Sequence, residues 1–309
     1  MRKFVISLGI ITALLAVLLI SQATPDLPVD QLTDKYANGA SKFLEIDGIL
    51  VHYRDEGQGH PLLLLHGSGS SLHTWDGWVH ELSSEFRLIR LDLPGFGLTG
   101  PRPDNDYSPQ RYVNLLTSLL NHLNLDTCAI AGNSFGGEIA WVYALTHPHR
   151  INKLILIDAA GYPLESFPTA FQLARIPVLN RALTFITPRS LVAKSLLQVY
   201  YDDNKVTEEL IERHYDLTRR AGNRDALIAR AQSLHENRAQ QIESIQTPTL
   251  ILWGEQDLWT PVEHGRRFHR DLLNSRLIIY DEAGHVPMEE LPEKTARDAR
   301  EFLLGQEES

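Results

Sequence analysis

The stretch Gly132-Asn133-Ser134-Phe135-Gly136 says most about the fold of this chain. It follows an apolar run at residues 127–131 and opens a helix-compatible run at residues 137–145. A serine between a strand and a helix, with a glycine two residues away on either side, can occupy a strained turn that exposes its hydroxyl. Gly and Ser are also common in ordinary turns, so the pattern alone leaves a purely structural turn open. Its context makes Ser134 a candidate nucleophile.

That context is a set of apolar runs that each lead into a loop with a polar residue. Residues 61–65 are followed by His66-Gly67-Ser68, a loop of small residues whose backbone N–H groups could point into a site. Two later runs, at residues 249–253 and 277–280, are followed by Asp257 and His285. The resulting order of nucleophile, acid and base is Ser134, Asp257, His285.

At this point the sequence resembles the α/β-hydrolase superfamily, from about residue 43 to residue 304. The matching stretches are His66-Gly67, Asp92-Leu93-Pro94-Gly95-Phe96-Gly97, the Ser134 motif, Trp253-Gly254-Glu255-Gln256-Asp257, and Gly284-His285-Val286-Pro287 with Glu290 and Pro292 beyond it. The resemblance implies an α/β fold, the α/β-hydrolase fold, with a mostly parallel sheet flanked by helices.

The resemblance also implies roles for individual residues. Ser134 would be the nucleophile, His285 the base and Asp257 the acid, and the N–H groups of Ser68 and Phe135 would form an oxyanion hole. Some members of the superfamily place the acid after the preceding strand. Asp158 is therefore the alternative acid.

Composition limits the functional classes. The chain has 309 residues, of which 43% are hydrophobic, and a net charge of −10. An acidic chain of this kind argues against nucleic-acid binding. The single cysteine, Cys128, cannot form an intrachain disulfide and reads as a small buried residue. No histidine shows metal-ligand spacing, so we expect neither a metal nor a cofactor.

The first 23 residues read as a targeting segment. Arg2 and Lys3 precede an apolar run at residues 4–20, and Ser21-Gln22-Ala23 offers small residues for a signal peptidase. The run suits an N-terminal membrane anchor or a signal peptide, and the basic residues before it predict that the catalytic domain lies outside the cytoplasm. Residues 24–40, rich in Pro, Asp, Gly and Asn, are predicted to be a linker.

The remaining chain divides by its hydrophobic pattern. Residues 41–160 and 247–309 are predicted to form the α/β-hydrolase core, which begins with a hairpin near Asp47-Gly48. Residues 161–246 show no convincing strand and several helical stretches, so they are predicted to be an inserted, all-helical cap.

An apolar, proline-broken first half of this cap favours a substrate with an apolar portion. The leading hypothesis is a serine esterase or lipase, similar to membrane-anchored monoacylglycerol lipases, that cleaves a small-molecule or lipid ester through an acyl-enzyme. Trp75 and Trp259 are candidates for lining its pocket. One alternative is a C–C bond hydrolase of ring-cleavage products. Another is a ligand-sensing protein on the same fold that turns over slowly.

Overall fold

The computed structural model describes residues 23–164, 169–177, 179–233 and 238–305. Its strands form one eight-stranded sheet in the order β1-β2-β4-β3-β5-β6-β7-β8. The strands are β1 (Ser41–Ile46), β2 (Ile49–Gly57), β3 (His60–Leu65), β4 (Phe86–Leu91), β5 (Cys128–Asn133), β6 (Ile151–Ile157), β7 (Thr249–Gly254) and β8 (Ser275–Tyr280). The pairs β1–β2 and β2–β4 are antiparallel, and all the other pairs are parallel.

The parallel part of the sheet is buried on both faces, as the leucine run in β3 illustrates. Leu63 and Leu65 pack into the core on one face, and Leu62 and Leu64 pack into the core on the other. Side chains alternate along a strand, so a continuous apolar run marks a strand covered on both sides. The predicted mostly parallel sheet flanked by helices is confirmed.

Helices on the two faces account for this burial. One face is covered by α3 (Pro109–His122), α4 (Phe135–Thr146) and α10 (Val262–Asp271). The other is covered by α2 (Asp76–Leu82) and α12 (Pro292–Leu304). A short helix, α11 (Pro287–Glu290), precedes α12. Helix α3 carries apolar residues at helical spacing, and its buried side includes Leu115, Leu116 and Leu119.

The described residues between β6 and β7 form helices and the loops that connect them. Its helices are α5 (Thr169–Arg175), α6 (Leu179–Phe185), α7 (Arg189–Val199), α8 (Glu208–Thr218) and α9 (Asn223–Gln232). The limits 161–246 for a separate cap stay a prediction, and we use "cap" below for these five helices and their connections.

The predicted linker at residues 24–40 is wrong as a description of this segment. It contains a helix, α1 (Val29–Tyr36), and Leu32 on that helix is buried against Leu98 of the core and Leu217 of α8. Leu27 also pairs with the cap backbone, donating to the Arg219 carbonyl at 2.7 Å. We call residues 24–37 the N-terminal strap, because they join the cap to the core.

The predicted anchor or signal peptide at residues 1–23 lies outside the described residues except for its last residue. In the part of the chain that the structure does describe, no helix combines the length and the apolar character needed to cross a bilayer.

Candidate active site

Ser134 occupies a strained turn between β5 and α4. Its backbone angles are φ 53° and ψ −119°, a region that side-chain-bearing residues rarely adopt. The glycines around it are required by close packing, since a Cβ at Gly132 would lie 2.3 Å from the Gly136 carbonyl oxygen. A Cβ at Gly136 would lie 2.3 Å from the Leu65 carbonyl oxygen in β3. The turn that the sequence predicted is therefore present.

The loop after β3 lies against this turn. A Cβ at Gly67 would be 3.1 Å from the Ser134 Cβ, so the loop approaches the candidate nucleophile closely. Ser68 follows in the loop, and Phe135 is the first residue of α4. The first N–H groups of a helix have no carbonyl partner within the helix, so the Phe135 N–H is available to an oxyanion.

His285 and Asp257 form a buried hydrogen-bonded pair. His285 Nδ1 lies 2.7 Å from Asp257 Oδ2. The other Asp257 oxygen, Oδ1, accepts hydrogen bonds from the N–H groups of Trp259 at 2.7 Å and Thr260 at 3.0 Å. These two bonds fix the carboxylate, and the carboxylate fixes the tautomer of the imidazole that leaves Nε2 free to take a proton.

The alternative acid, Asp158, lies beside the same pair. It follows β6, is fully buried, and accepts a hydrogen bond from the Gly254 N–H at 2.9 Å on Oδ1. One atom from each of Asp158, Asp257 and His285 lies within 4.8 Å of the other two. The hydrogen bond to His285 is made by Asp257.

Several polar residues that the sequence placed in the motifs brace the site. Asn133, next to Ser134, donates to the His285 carbonyl at 2.9 Å and to the Ile157 carbonyl at 3.1 Å. His66 contacts the Gly67 carbonyl through Nδ1 at 2.7 Å and accepts from the Leu93 N–H through Nε2 at 3.0 Å. Asp92 accepts from the Leu98 N–H at 2.8 Å.

A cavity of about 190 Å³ opens between these groups and the cap. The lining from the core includes Gly67, Ser68, Asn133, Trp259, His285 and Glu289. The lining from the cap is mostly apolar and includes Leu191, Val192, Leu196, Val199 and Leu227. Ser134 lies directly between Asn133 of this lining and Phe135. A mostly apolar chamber with few polar groups is typical of a small-molecule site.

The two tryptophans selected from the sequence have different places. Trp259 lines the cavity, with its ring centroid 5.4 Å from that of His285. Trp75 does not line it. It is fully buried in the core with its ring centroid 5.2 Å from that of Trp78. The prediction that Trp75 binds substrate is therefore wrong, because its side chain fills the core beneath the sheet.

No local sequence pattern indicates the titratable groups that line the cavity. Arg224 lines it and forms an ion pair with Asp26 of the N-terminal strap, at 2.6 Å from Nη2 to Oδ1. Glu289 lines it too, and accepts from the Tyr200 hydroxyl at 2.8 Å, while burial raises its pKa above the ordinary range. Burial lowers the pKa of His214 to about 4, so this histidine is neutral at pH 7.

One more cation lies behind the loop after β3. Arg230 is buried and donates to the Ser68 hydroxyl at 3.0 Å. Its guanidinium also lies 4.1 Å from the Phe96 ring centroid and 4.5 Å from that of Phe135. These contacts connect α9 of the cap to both residues of the predicted oxyanion hole.

Residues 60–292 match the α/β hydrolase fold family. The chain belongs to that family. The resemblance that the motifs indicated is confirmed, and so is its implication that the protein is a hydrolase of the α/β fold.

Relatives and solved structures narrow the comparison further. The chain is 30% identical over 293 residues to the 2-hydroxy-6-oxononadienedioate/2-hydroxy-6-oxononatrienedioate hydrolase of Burkholderia vietnamiensis, covering 89% of this chain and 96% of that protein. A meta-cleavage product hydrolase from Pseudomonas fluorescens has the same fold, with a TM-score of 0.75 at 24% identity over 86% of this chain and 98% of that one. A membrane phospholipase A structure aligns with a TM-score of 0.72 at 25% identity, covering 99% of both chains.

These names correct the leading hypothesis from sequence. Other curated relatives are also named as hydrolases of 2-hydroxy-6-oxo dienoates. The main reading, a carboxylester hydrolase or lipase acting on an apolar acyl portion, is therefore wrong. The C–C bond hydrolase that the sequence left as an alternative is favoured.

Proposed function

We propose that this protein is a hydrolase of the C–C bond in 2-hydroxy-6-oxo-2,4-dienoates, the type of compound formed when an aromatic ring is opened beside a hydroxyl group. The proposal rests on relatives that match most of the chain and are named as hydrolases of such compounds. The Burkholderia enzyme, at 30% identity, is one of them. The serine turn, the His285–Asp257 pair and the apolar cavity support it.

The chemistry of such a substrate explains how a serine hydrolase site could break a C–C bond. The leaving carbon must depart with an electron pair, which a simple ketone cannot stabilise. In a 2-hydroxy-6-oxo-2,4-dienoate, the C2 enol first loses its proton while C5 gains one. The C2 ketone that results is conjugated with the C3=C4 double bond, and C5 is attached to that double bond at C4. It can therefore accept the electron pair when the C5–C6 bond breaks.

Ser134 would attack the C6 carbonyl as His285 takes the proton from its hydroxyl. The N–H groups of Ser68 and Phe135 would hold the oxyanion at C6. Cleavage of C5–C6 then leaves the acyl group on Ser134, and the released dienolate takes the proton from His285 to become 2-hydroxypenta-2,4-dienoate. Water, deprotonated by His285, releases the acyl group as a carboxylic acid, so one water is consumed per cleavage.

The cavity suits the two ends of this substrate. Its apolar cap lining, from Leu191 to Val199, suits the diene and the group attached to C6. Arg224 is one of the described residues that line the cavity, and its guanidinium would bind the substrate carboxylate from the cap side. Its ion pair with Asp26 holds the guanidinium in a fixed orientation.

The test is product analysis with 2-hydroxy-6-oxohepta-2,4-dienoate, whose C6 carries a methyl group. Cleavage should release acetate and 2-hydroxypenta-2,4-dienoate in equal amounts, and the ultraviolet absorption of the longer conjugated substrate should fall in step. Ser134→Ala should abolish both signals. Ser233→Ala, which removes a hydroxyl that donates to the Ala229 carbonyl away from the cavity lining, is the matched control and should remain active. Rapid hydrolysis of aryl esters without any cleavage of dienoates carrying small or aryl groups would refute the proposal.

We also propose that residues 4–20 hold the protein at a membrane with the catalytic domain outside the cytoplasm. Their apolar run is close to the length of a span, and Arg2 and Lys3 precede it. One solved structure that resembles this chain is named a membrane phospholipase A, which supports the proposal of a membrane location. Fractionation of cells that express the full chain tests this.

A further inference from the structure

Asp158 is a buried acid that the proposed reaction does not use. It follows β6 at the edge of the sheet that carries Ser134 and Asp257, and its side chain is fully buried. Its backbone φ is +44°, a left-handed conformation that Asp and Asn tolerate better than other side chains do. A buried acidic residue in this costly conformation requires a physical explanation.

The reason lies in its distance from the His285–Asp257 pair. One atom of each of the three side chains lies within 4.8 Å of the other two. These atoms could also surround a cation, but Asp257 Oδ2 and His285 Nδ1 are already joined at 2.7 Å. Two buried carboxylates at such a separation cannot both be ionised, because their repulsion is not screened by water.

The hydrogen bonds decide which of the two acids keeps the charge. Asp257 is the acceptor in bonds from the Trp259 N–H, the Thr260 N–H and His285. Asp158 accepts from the Gly254 N–H alone among the described residues, and its Oδ2 has no partner there. Donors stabilise a carboxylate, so Asp257 is the ionised member. The oxygens of two ionised carboxylates can only accept hydrogen bonds. A proton on Asp158 therefore supplies the donor for a hydrogen bond between Asp158 and Asp257.

We propose that Asp158 is a neutral carboxylic acid that donates to Asp257 and acts as a positioning residue for the catalytic pair. It presents His285 with one negative charge shared between two acids. The inference rests on the proposed roles of Ser134, Asp257 and His285, and it does not depend on which substrate is cleaved. If Asp257 loses its charge, Asp158 can ionise and take over part of the role of Asp257 in orienting His285.

The surroundings of Asp158 agree with a neutral group. Burial first, and the Asp257 carboxylate second, raise the pKa of Asp158 well above its ordinary value. Glu290 of α11 and Tyr280 at the end of β8 add no positive charge, and Thr260 touches Asp158 at its backbone carbonyl, with its hydroxyl at 3.4 Å. His285 is the group that would become positively charged beside the two acids during the catalytic cycle.

The first experiment is Asp158→Asn, which keeps the shape, tolerates the positive φ and places a neutral donor beside Asp257. Its readout is the rate at which a fluorophosphonate labels Ser134 as a function of pH, since the acid limb reports the protonation of the base. The acid limb should move by less than about 0.3 pH unit. A downward shift of about one unit or more would mean that Asp158 carries a charge in the native protein, and would overturn the proposal. Asp298→Asn, which alters a buried carboxyl bonded to Tyr280, is the control.

The second experiment compares Asp257→Asn with the double variant Asp158→Asn/Asp257→Asn. Loss of the triad acid alone typically costs about 10⁴ in turnover. With Asp158 in reserve, Asp257→Asn should keep labelling at least about tenfold faster than the double variant. Equal rates would remove the reserve role.

A third readout separates this inference from the proposed function. The imidazole signals of His285, followed by NMR against pH, titrate whether or not the protein turns over. If the wild-type serine is never labelled, the proposed reaction fails. An unchanged His285 titration in Asp158→Asn would still support a neutral Asp158, and a lowered one would still refute it.

Discussion

Replacing Leu32 by alanine tests whether the N-terminal strap is part of the fold. Leu32 is 1% exposed and packs only with Leu98 and Leu217 among the fully buried residues of its cluster. Burying a leucine side chain is worth about 1.5–3 kcal/mol, and truncation to alanine in a core costs about 2–5 kcal/mol with the cavity it leaves. This cluster lies at the periphery and can relax, so we expect a loss of about 2–3 kcal/mol.

The assay is thermal unfolding of a variant that begins at Thr24. A loss of that size should lower the Tm by about 4–12 °C, at about 2–4 °C per kcal/mol for a chain approaching this length. Val29→Ala on the same helix is the matched control, because Val29 is 36% exposed and its truncation should change the Tm little. Limited proteolysis adds a local readout, since a loosened strap should be cut within residues 24–37 before the rest of the protein unfolds.

Equal melting temperatures for Leu32→Ala and Val29→Ala, without faster cleavage in the strap, would refute the reasoning. The strap would then rest on the surface without contributing to stability. An aggregated or unfolded variant starting at Thr24 would instead mean that residues 1–23 belong to the folded domain. Either result would change where the domain begins.

Three further predictions concern separate parts of the chain. Ser134→Ala should lower turnover by about 10⁶ and abolish fluorophosphonate labelling without lowering the Tm, because the half-buried hydroxyl contributes little packing. The full chain should stay in the membrane fraction after a carbonate wash if residues 4–20 are an uncleaved anchor, whereas N-terminal sequencing of a soluble form should begin near Thr24 if they are a signal peptide. Burial raises the pKa of the Cys128 thiol to about 12, so iodoacetamide at pH 8.5 should alkylate Cys128 only after denaturation, as mass spectrometry would show.

The central sheet was predictable from the sequence because two local patterns indicate each strand. An apolar run such as residues 61–65 gives the strand, and the small or polar residues behind it give the loop. The observed strand is His60–Leu65, one residue longer. Since parallel strands end at one edge of the sheet, the order of the loops was enough to bring His285 and Asp257 together.

Contacts between distant segments were not predictable in this way. The Pro, Asp and Gly residues of the strap predict a linker, yet Leu32 packs against apolar side chains far along the chain. Trp75 was selected because it lies close to the site in sequence, whereas its side chain points into the core. Arg224 belongs to the cavity only because the cap folds back over the sheet, and no local pattern reports that.

The contact between cap and catalytic loop also bears on how substrate preference can change in this fold. His285 donates its backbone N–H to the Val199 carbonyl at the end of α7, at 2.8 Å. A Cβ at Gly284 would lie 2.5 Å from that same carbonyl oxygen, so the two segments touch with no space between them. Glu290 adds to the junction by accepting from the N–H groups of Gly284 and Tyr201, at 2.6 Å and 2.8 Å.

Helix α7 also lines the cavity, from Leu191 to Val199. A substitution that reshapes the cavity near Val199 therefore also moves the backbone that holds His285, so its effect on turnover is coupled to its effect on binding. Substitutions near Leu191, one or two turns away, can change the fit of the substrate while leaving His285 in place.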